Sequence, residues 1–161
     1  MKYIELAIRN ADIFLELNKM TAYTGVKTES NASGALYDRI VTAGEDSDIL
    51  ERYRGMACSE LVERLKEFVV SADSSEESLT LRLCVSGAYD NILTPSLRSD
   101  IFMFITANIA ARWFRLTFPE KAREHEEEAK RLLGDAVKKL FHRKRPTRGA
   151  AKRSRGNQSD I

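Results

Sequence analysis

Between positions 3 and 18 the apolar residues Ile4, Ala7, Ile8, Ala11, Phe14 and Leu15 recur at three- and four-residue steps, while Glu5, Arg9, Asp12 and Glu16 turn elsewhere. That spacing predicts an amphipathic helix over 3–18. From Gly25 to Gly44 the chain is rich in Thr, Ser, Asn and Gly, which reads as a connecting loop with at most a turn of helix at Leu36–Ile40. Asp46, Ser47 and Asp48 then offer a cap and first-turn acids. Leu50, Tyr53, Ala57, Leu61, Leu65 and Phe68 follow at helical spacing, predicting a second helix that stops at the polar cluster Ser71–Ser75.

The period changes at 79–85, where Leu79, Leu81, Leu83 and Val85 alternate with Thr80, Arg82 and Cys84. A repeat of two predicts a strand. A single strand leaves its backbone unpaired, so a partner is expected near Ile92-Leu93 or in a neighbouring subunit. Thr94-Pro95 opens a helix that is apolar almost all round through Ile101–Ile105 and Trp113-Phe114, as a central buried helix must be. Phe118-Pro119-Glu120 breaks and restarts the chain, so the last helix, about 119–141, folds back as a helical hairpin. Ala122, Ala129, Leu133, Ala136, Val137 and Leu140 form its inward stripe, with Glu124, Glu126, Glu127 and Glu128 toward water. The expected fold class is mainly α: a helical bundle with a C-terminal hairpin of helices, one short β-strand or β-hairpin, and a disordered basic tail.

Charge sharpens the division at 141/142. Residues 142–161 hold seven basic side chains, Arg143, Lys144, Arg145, Arg148, Lys152, Arg153 and Arg155, against Asp160 alone. The tail is therefore +6 and residues 1–141 are −4, in a chain of net charge +2. An acidic body (1–141) with a cationic arm (142–161) directs the arm toward an anionic partner. With almost nothing apolar, the arm is expected to be disordered. On duplex DNA it would give a salt slope of up to roughly six; without aromatics it is not built to stack on single-stranded bases. The plain alternative is a solubilising terminus.

A chain of 161 residues with 43% hydrophobic content can bury about two thirds of its extended surface without staples. No apolar run reaches membrane-spanning length, and Met1–Leu6 does not resemble a secretory leader, so the protein is expected to stay where it is made, off the membrane. The Asn31-Ala32-Ser33 sequon then marks only a polar loop. Cys58 and Cys84 lack metal-ligand spacing and read as reduced, buried thiols.

Candidate chemistry is sparse. His125-Glu126-Glu127-Glu128-Ala129 lacks the second His that a zinc-protease helix needs at 129. The only other histidine, His142, opens the tail, and no Gly-rich phosphate loop follows the strand at Ser86–Tyr89. No catalytic residue, metal ligand or cofactor is assigned, and the chain is not expected to be an enzyme. Asn108 and Arg112, one turn apart on the most apolar helix, must be paired: to an acid of the same chain on the structural reading, across a subunit interface on the other. Trp113, Phe114 and Phe118 read first as core, and as interface anchors if the hairpin exposes them.

The order helix, loop, helix, short strand, buried helix, tight Pro turn, final helix and basic arm resembles the head-tail connector (adaptor) proteins of tailed bacteriophages. The likeness is clearest over residues 107–148, from Ala107-Asn108-Ile109-Ala110-Ala111-Arg112-Trp113-Phe114 to Lys139-Leu140-Phe141-His142-Arg143-Lys144-Arg145-Pro146-Thr147-Arg148. The resemblance implies a virion structural protein at the head-tail interface, assembled in the bacterial host cytoplasm. Copies would form a homo-oligomeric ring under the portal protein, extend the channel for genomic DNA and receive a tail-completion or stopper protein. The basic arm would reach into the portal, and a short hairpin or strand would join neighbouring subunits. Leu79, Leu81, Leu83, Val85, Trp113 and Phe114 are the expected subunit-interface residues. The rival reading is a small helical DNA-binding accessory protein, terminase-like or regulatory, that binds through the tail.

Overall fold

The computed structural model describes residues 1–29 and 41–145, with side chains of 27–29 set aside. Over these the chain is mainly helical with a small antiparallel sheet. The order is β1 (Lys2–Arg9), α1 (Asn10–Glu29), a 3-10 turn (Gly44–Asp46), α2 (Ser47–Arg64), β2 (Val69–Ser74), β3 (Ser78–Val85), a 3-10 turn (Asn91–Leu93), α3 (Thr94–Thr117) and α4 (Pro119–Phe141).

Several sequence expectations change. Residues 2–9 form a strand where a helix was expected: Ile4 and Ile8 fit a helical step of four as well as a repeat of two, Leu6 fits only the repeat of two, and the ladder with β3 decides between them. The helix begins only at Asn10 and continues to Glu29, so the expected loop starts later; the suggested turn at 36–40 lies outside the described residues. The second helix ends at Arg64, before the polar cluster, and Val69–Ser74 is an edge strand.

β3 lies in the middle of the sheet, order β1-β3-β2. Its expected lack of a partner is therefore overturned: it is paired on both sides within its own chain. Ile4, Leu6 and Ile8 lie opposite Leu83, Leu81 and Leu79 on one flank, and Ala72, Asp73 and Ser74 lie opposite Leu81, Thr80 and Leu79 on the other. The site near Ile92-Leu93 is a 3-10 turn capped by the Asp90 carboxylate, which accepts from Ile92 N at 3.2 Å.

The inward residues of the sheet, Leu6, Ile8, Leu79, Leu81, Leu83 and Val85, are buried against the helices. α3 is the central element, in contact with α1, α2, α4 and β1. Pro95 lies in its first turn and its buried residues run from Leu97 to Phe114. At Phe118 the backbone is extended (φ −151°, ψ 77°), and Pro119 opens α4. Ala122, Ala129 and Ala136, seven apart, are buried on α4, and Ala107, Ala110 and Ala111 are buried on α3. Small residues on facing helices permit close approach along the hairpin. Polar ties hold both ends. Arg115 Nη2 lies 2.6 Å from Glu126 Oε1, and at the far end Lys139 Nζ donates to Asp100 and Ser96. The expected inward stripe of α4 is present, with Leu133 and Val137 half-buried; Leu132, which the expected stripe leaves out, is buried as well.

Candidate assembly interface

The two edges of the sheet differ. β1's edge is met by α3, whose Arg98 Nε donates to the Ala7 carbonyl at 2.8 Å. Among the described residues β2's edge is open: Val70, Ser71, Ala72, Asp73 and Ser74 are all exposed. Ser75 N donates to Ser78 O at 3.0 Å at the hairpin turn. The antiparallel ladder alternates from that pair, so Asp73 and Ser71 bond to β3 while Ala72 and Ser74 turn their N–H and C=O outward. A register shift between Val69 and Ser71 limits the regular open run to Ser71–Ser74.

The hairpin that carries this edge is clamped. Asn10 is buried, and its Nδ2 donates to Ser75 O and Glu76 O, both at 3.0 Å, while its backbone N donates to Glu77 O at 2.9 Å. Its Oδ1 has no partner among the described residues. From α2, buried Arg54 donates to Ser74 Oγ at 3.1 Å and pairs with Glu51. The Glu51 hydrogen bond holds the guanidinium pKa above its ordinary value. Cys58 lies one turn on, its thiol pushed up chiefly by burial.

The root of the basic arm is also fixed. Lys144 N donates to Ala88 O at 2.8 Å, and Arg143 forms an antiparallel bridge with Tyr89. Tyr89 is buried, and Lys2 Nζ donates to its carbonyl at 3.1 Å. Phe141, at the end of α4, meets Phe68 edge-on with ring centroids 5.0 Å apart. Phe68 directly precedes β2, so the arm leaves the body beside the start of the open strand. Arg143, Lys144 and Arg145 are exposed; Arg148, Lys152, Arg153 and Arg155, and with them the expected disorder of the tail, lie outside the described residues.

The proposed interface residues Leu79, Leu81, Leu83, Val85, Trp113 and Phe114 are 0–6% exposed within the chain's own core. They have no side-chain surface to offer a neighbour, a correction that follows from β3 being the central strand and α3 the central helix. Phe118 is half-buried. Asn108 and Arg112 follow the structural reading: Arg112 Nε donates to Asn108 Oδ1 at 2.9 Å, and Asn108 Nδ2 donates to Glu60 Oε2 at 2.9 Å. Sequence reasoning missed β2, Asn10 and Arg54. A buried arginine in the middle of an amphipathic helix was the one available signal.

His125 stacks on Phe114, centroids 5.0 Å apart and planes 12° from parallel, and burial lowers its pKa. Cys84 is half-buried, against the expectation of a buried thiol, while Cys58 is buried; both are free. Among the described residues no group of three or more His, Cys, Asp or Glu is placed to hold a metal, and no helix is long and apolar enough to cross a membrane. Comparison with protein-family models, with curated proteins and with solved structures gives no match for this chain.

Proposed function

We propose that this chain is a non-enzymatic assembly protein, a ring-forming head-tail connector that joins a phage portal to the tail and extends the DNA channel. The observation that carries the reading is the open edge of β2 on a hairpin held rigid by Asn10 and Arg54. A strand edge supplies main-chain donors and acceptors to a neighbouring chain, and fixing it beforehand lowers the entropy cost of pairing. Intersubunit pairing therefore moves from β3, which is satisfied internally, to the Ser71–Ser74 edge. On this reading the arm, rooted at Phe141 beside Phe68, reaches a portal protein while the ring body meets a tail-completion or stopper protein. Copies of itself, these two proteins and the passing genomic DNA are the partners of this reading, and the virion's head-tail interface, reached after assembly in the host cytoplasm, is its location.

The second reading, a DNA-binding accessory protein, is favoured by the +6 charge of the arm. Two variants separate them. Ala72→Pro removes an outward N–H without touching the β3 ladder, so the connector reading expects a folded protein that no longer closes into rings. Deletion of 143–161 should abolish portal binding and spare ring formation. A DNA-binding protein would instead stay monomeric throughout and lose salt-sensitive duplex affinity on the same deletion.

A further inference from the structure

A cleft of about 210 Å³ opens where α2, α3 and α4 meet. Its charged lining is Glu60, Arg64, Arg112, Arg115, Glu126 and Lys130, over apolar side chains that include Phe104 and Leu133. Both carboxylates are engaged. Glu60 Oε2 accepts from Asn108 at 2.9 Å and lies 3.4 Å from Arg112 Nη2; Glu126 Oε1 accepts from Arg115 Nε at 2.7 Å. Arg64 and Lys130 make no hydrogen bond or ion pair with another described residue. Four cations against two carboxylates leave a surplus of two positive charges, in a body whose sequence carries −4.

We propose that this cleft binds a phosphate group. Concave walls focus the local field on an incoming anion. Arg64 and Lys130 supply charge that no direct ion pair among the described residues takes up, although Glu63 lies within electrostatic reach of Arg64. Arg112 is oriented by Asn108 through its Nε and by Glu60 through Nη2, leaving Nη1 to donate to a phosphate oxygen. The volume suits a compact anion and is below that of a drug-sized pocket. The phosphate can belong to a small monoester or inorganic ion, or to the backbone of a nucleic acid. The inference does not depend on the connector reading, because it uses neither the hairpin edge nor the arm.

The test is an NMR titration of the full-length 15N-labelled protein with sodium phosphate, against sodium chloride at matched ionic strength, and then with a DNA duplex. The readouts are the Nε–H resonances of Arg64, Arg112 and Arg115 and the side-chain amide of Asn108. The proposal expects saturable shifts at these groups with phosphate and not with chloride. Lys130→Gln should weaken that response by about tenfold or more, the effect of losing charge-assisted contacts. Arg64→Gln should do the same; both side chains are exposed, so the remainder of the spectrum should stay unchanged as the check on folding. Saturation by duplex at lower concentration than by inorganic phosphate assigns the site to nucleic acid, and the reverse order assigns it to a small phosphate. Shifts confined to the arm, or equal responses in parent and variants, overturn the proposal.

Discussion

Asn10 gives the sharpest test of how the hairpin is held, because a nearly isosteric change reverses the sign of its contacts. Its side chain is 3% exposed, and its amide nitrogen faces two carbonyl oxygens, those of Ser75 and Glu76 at 3.0 Å. Asn10→Ala removes two hydrogen bonds worth about 1 kcal/mol each net, so the expected loss is about 2 kcal/mol. For a chain of this size that lowers Tm by about 4–8 °C. Asn10→Asp keeps the shape but points a carboxylate at the same two carbonyls. The folded pKa of the introduced carboxyl must rise, and each unit above its unfolded value of about 3.9 costs about 1.4 kcal/mol at neutral pH. With a rise of about two units the total loss reaches about 3–4 kcal/mol at pH 7, exceeding that of the alanine variant. The pH dependence has a fixed sign. A folded pKa above the unfolded one means that the penalty is absent below about pH 3.9 and grows as pH rises toward the folded value. Urea unfolding followed by circular dichroism at pH 7 and pH 4 should rank parent, alanine and aspartate in that order at pH 7, with the last gap narrowing at pH 4. An aspartate variant as stable as the parent at pH 7 would refute the assigned contacts.

Arg54→Ala should cost about 2–3 kcal/mol through lost charge-assisted hydrogen bonds to Glu51 and Ser74, with faster amide exchange in β2; a change within about 0.5 kcal/mol would mean that the clamp is not built as described. His125, facing Glu124, Glu128 and Lys121, has a folded pKa below its unfolded value of about 6.5 because burial disfavours the charged ring. Its contribution is complete above that value and is lost as pH falls through it toward the lowered folded pKa. His125→Phe should therefore flatten the urea midpoint between pH 7.5 and 5.5, and an unchanged slope would contradict the stacking. A disulfide reagent should titrate one thiol rapidly in the native chain, Cys84, and both in urea; rapid reaction at Cys58 would show that its burial is wrong.

The helices were legible where one face is buried and the other wet. Leu50 to Leu65 announced α2, and the all-round apolar run at Ile101–Phe114 announced the central helix. The strands were harder, for two reasons. Ile4 and Ile8 fit both periods and Leu6 alone speaks for the repeat of two, so it is the register opposite Leu83, Leu81 and Leu79 that settles the choice. β2 has almost no pattern at all, since an edge strand exposed on Ser71, Ala72, Asp73 and Ser74 buries too little to impose one. The clamp was hidden for a different reason. Asn10 reaches carbonyls 65 and 66 residues away, and backbone acceptors carry no side-chain signature. The Asn108 and Arg112 pair could be read as needing an acid, yet only the packing of α2 on α3 identified Glu60.

The most direct measurement is native mass spectrometry of the full chain over a concentration series, alone and with a candidate portal ring. The assembly account predicts a closed homo-oligomer of discrete mass that docks on the portal. A species that stays monomeric at every concentration, with and without the portal, would contradict it.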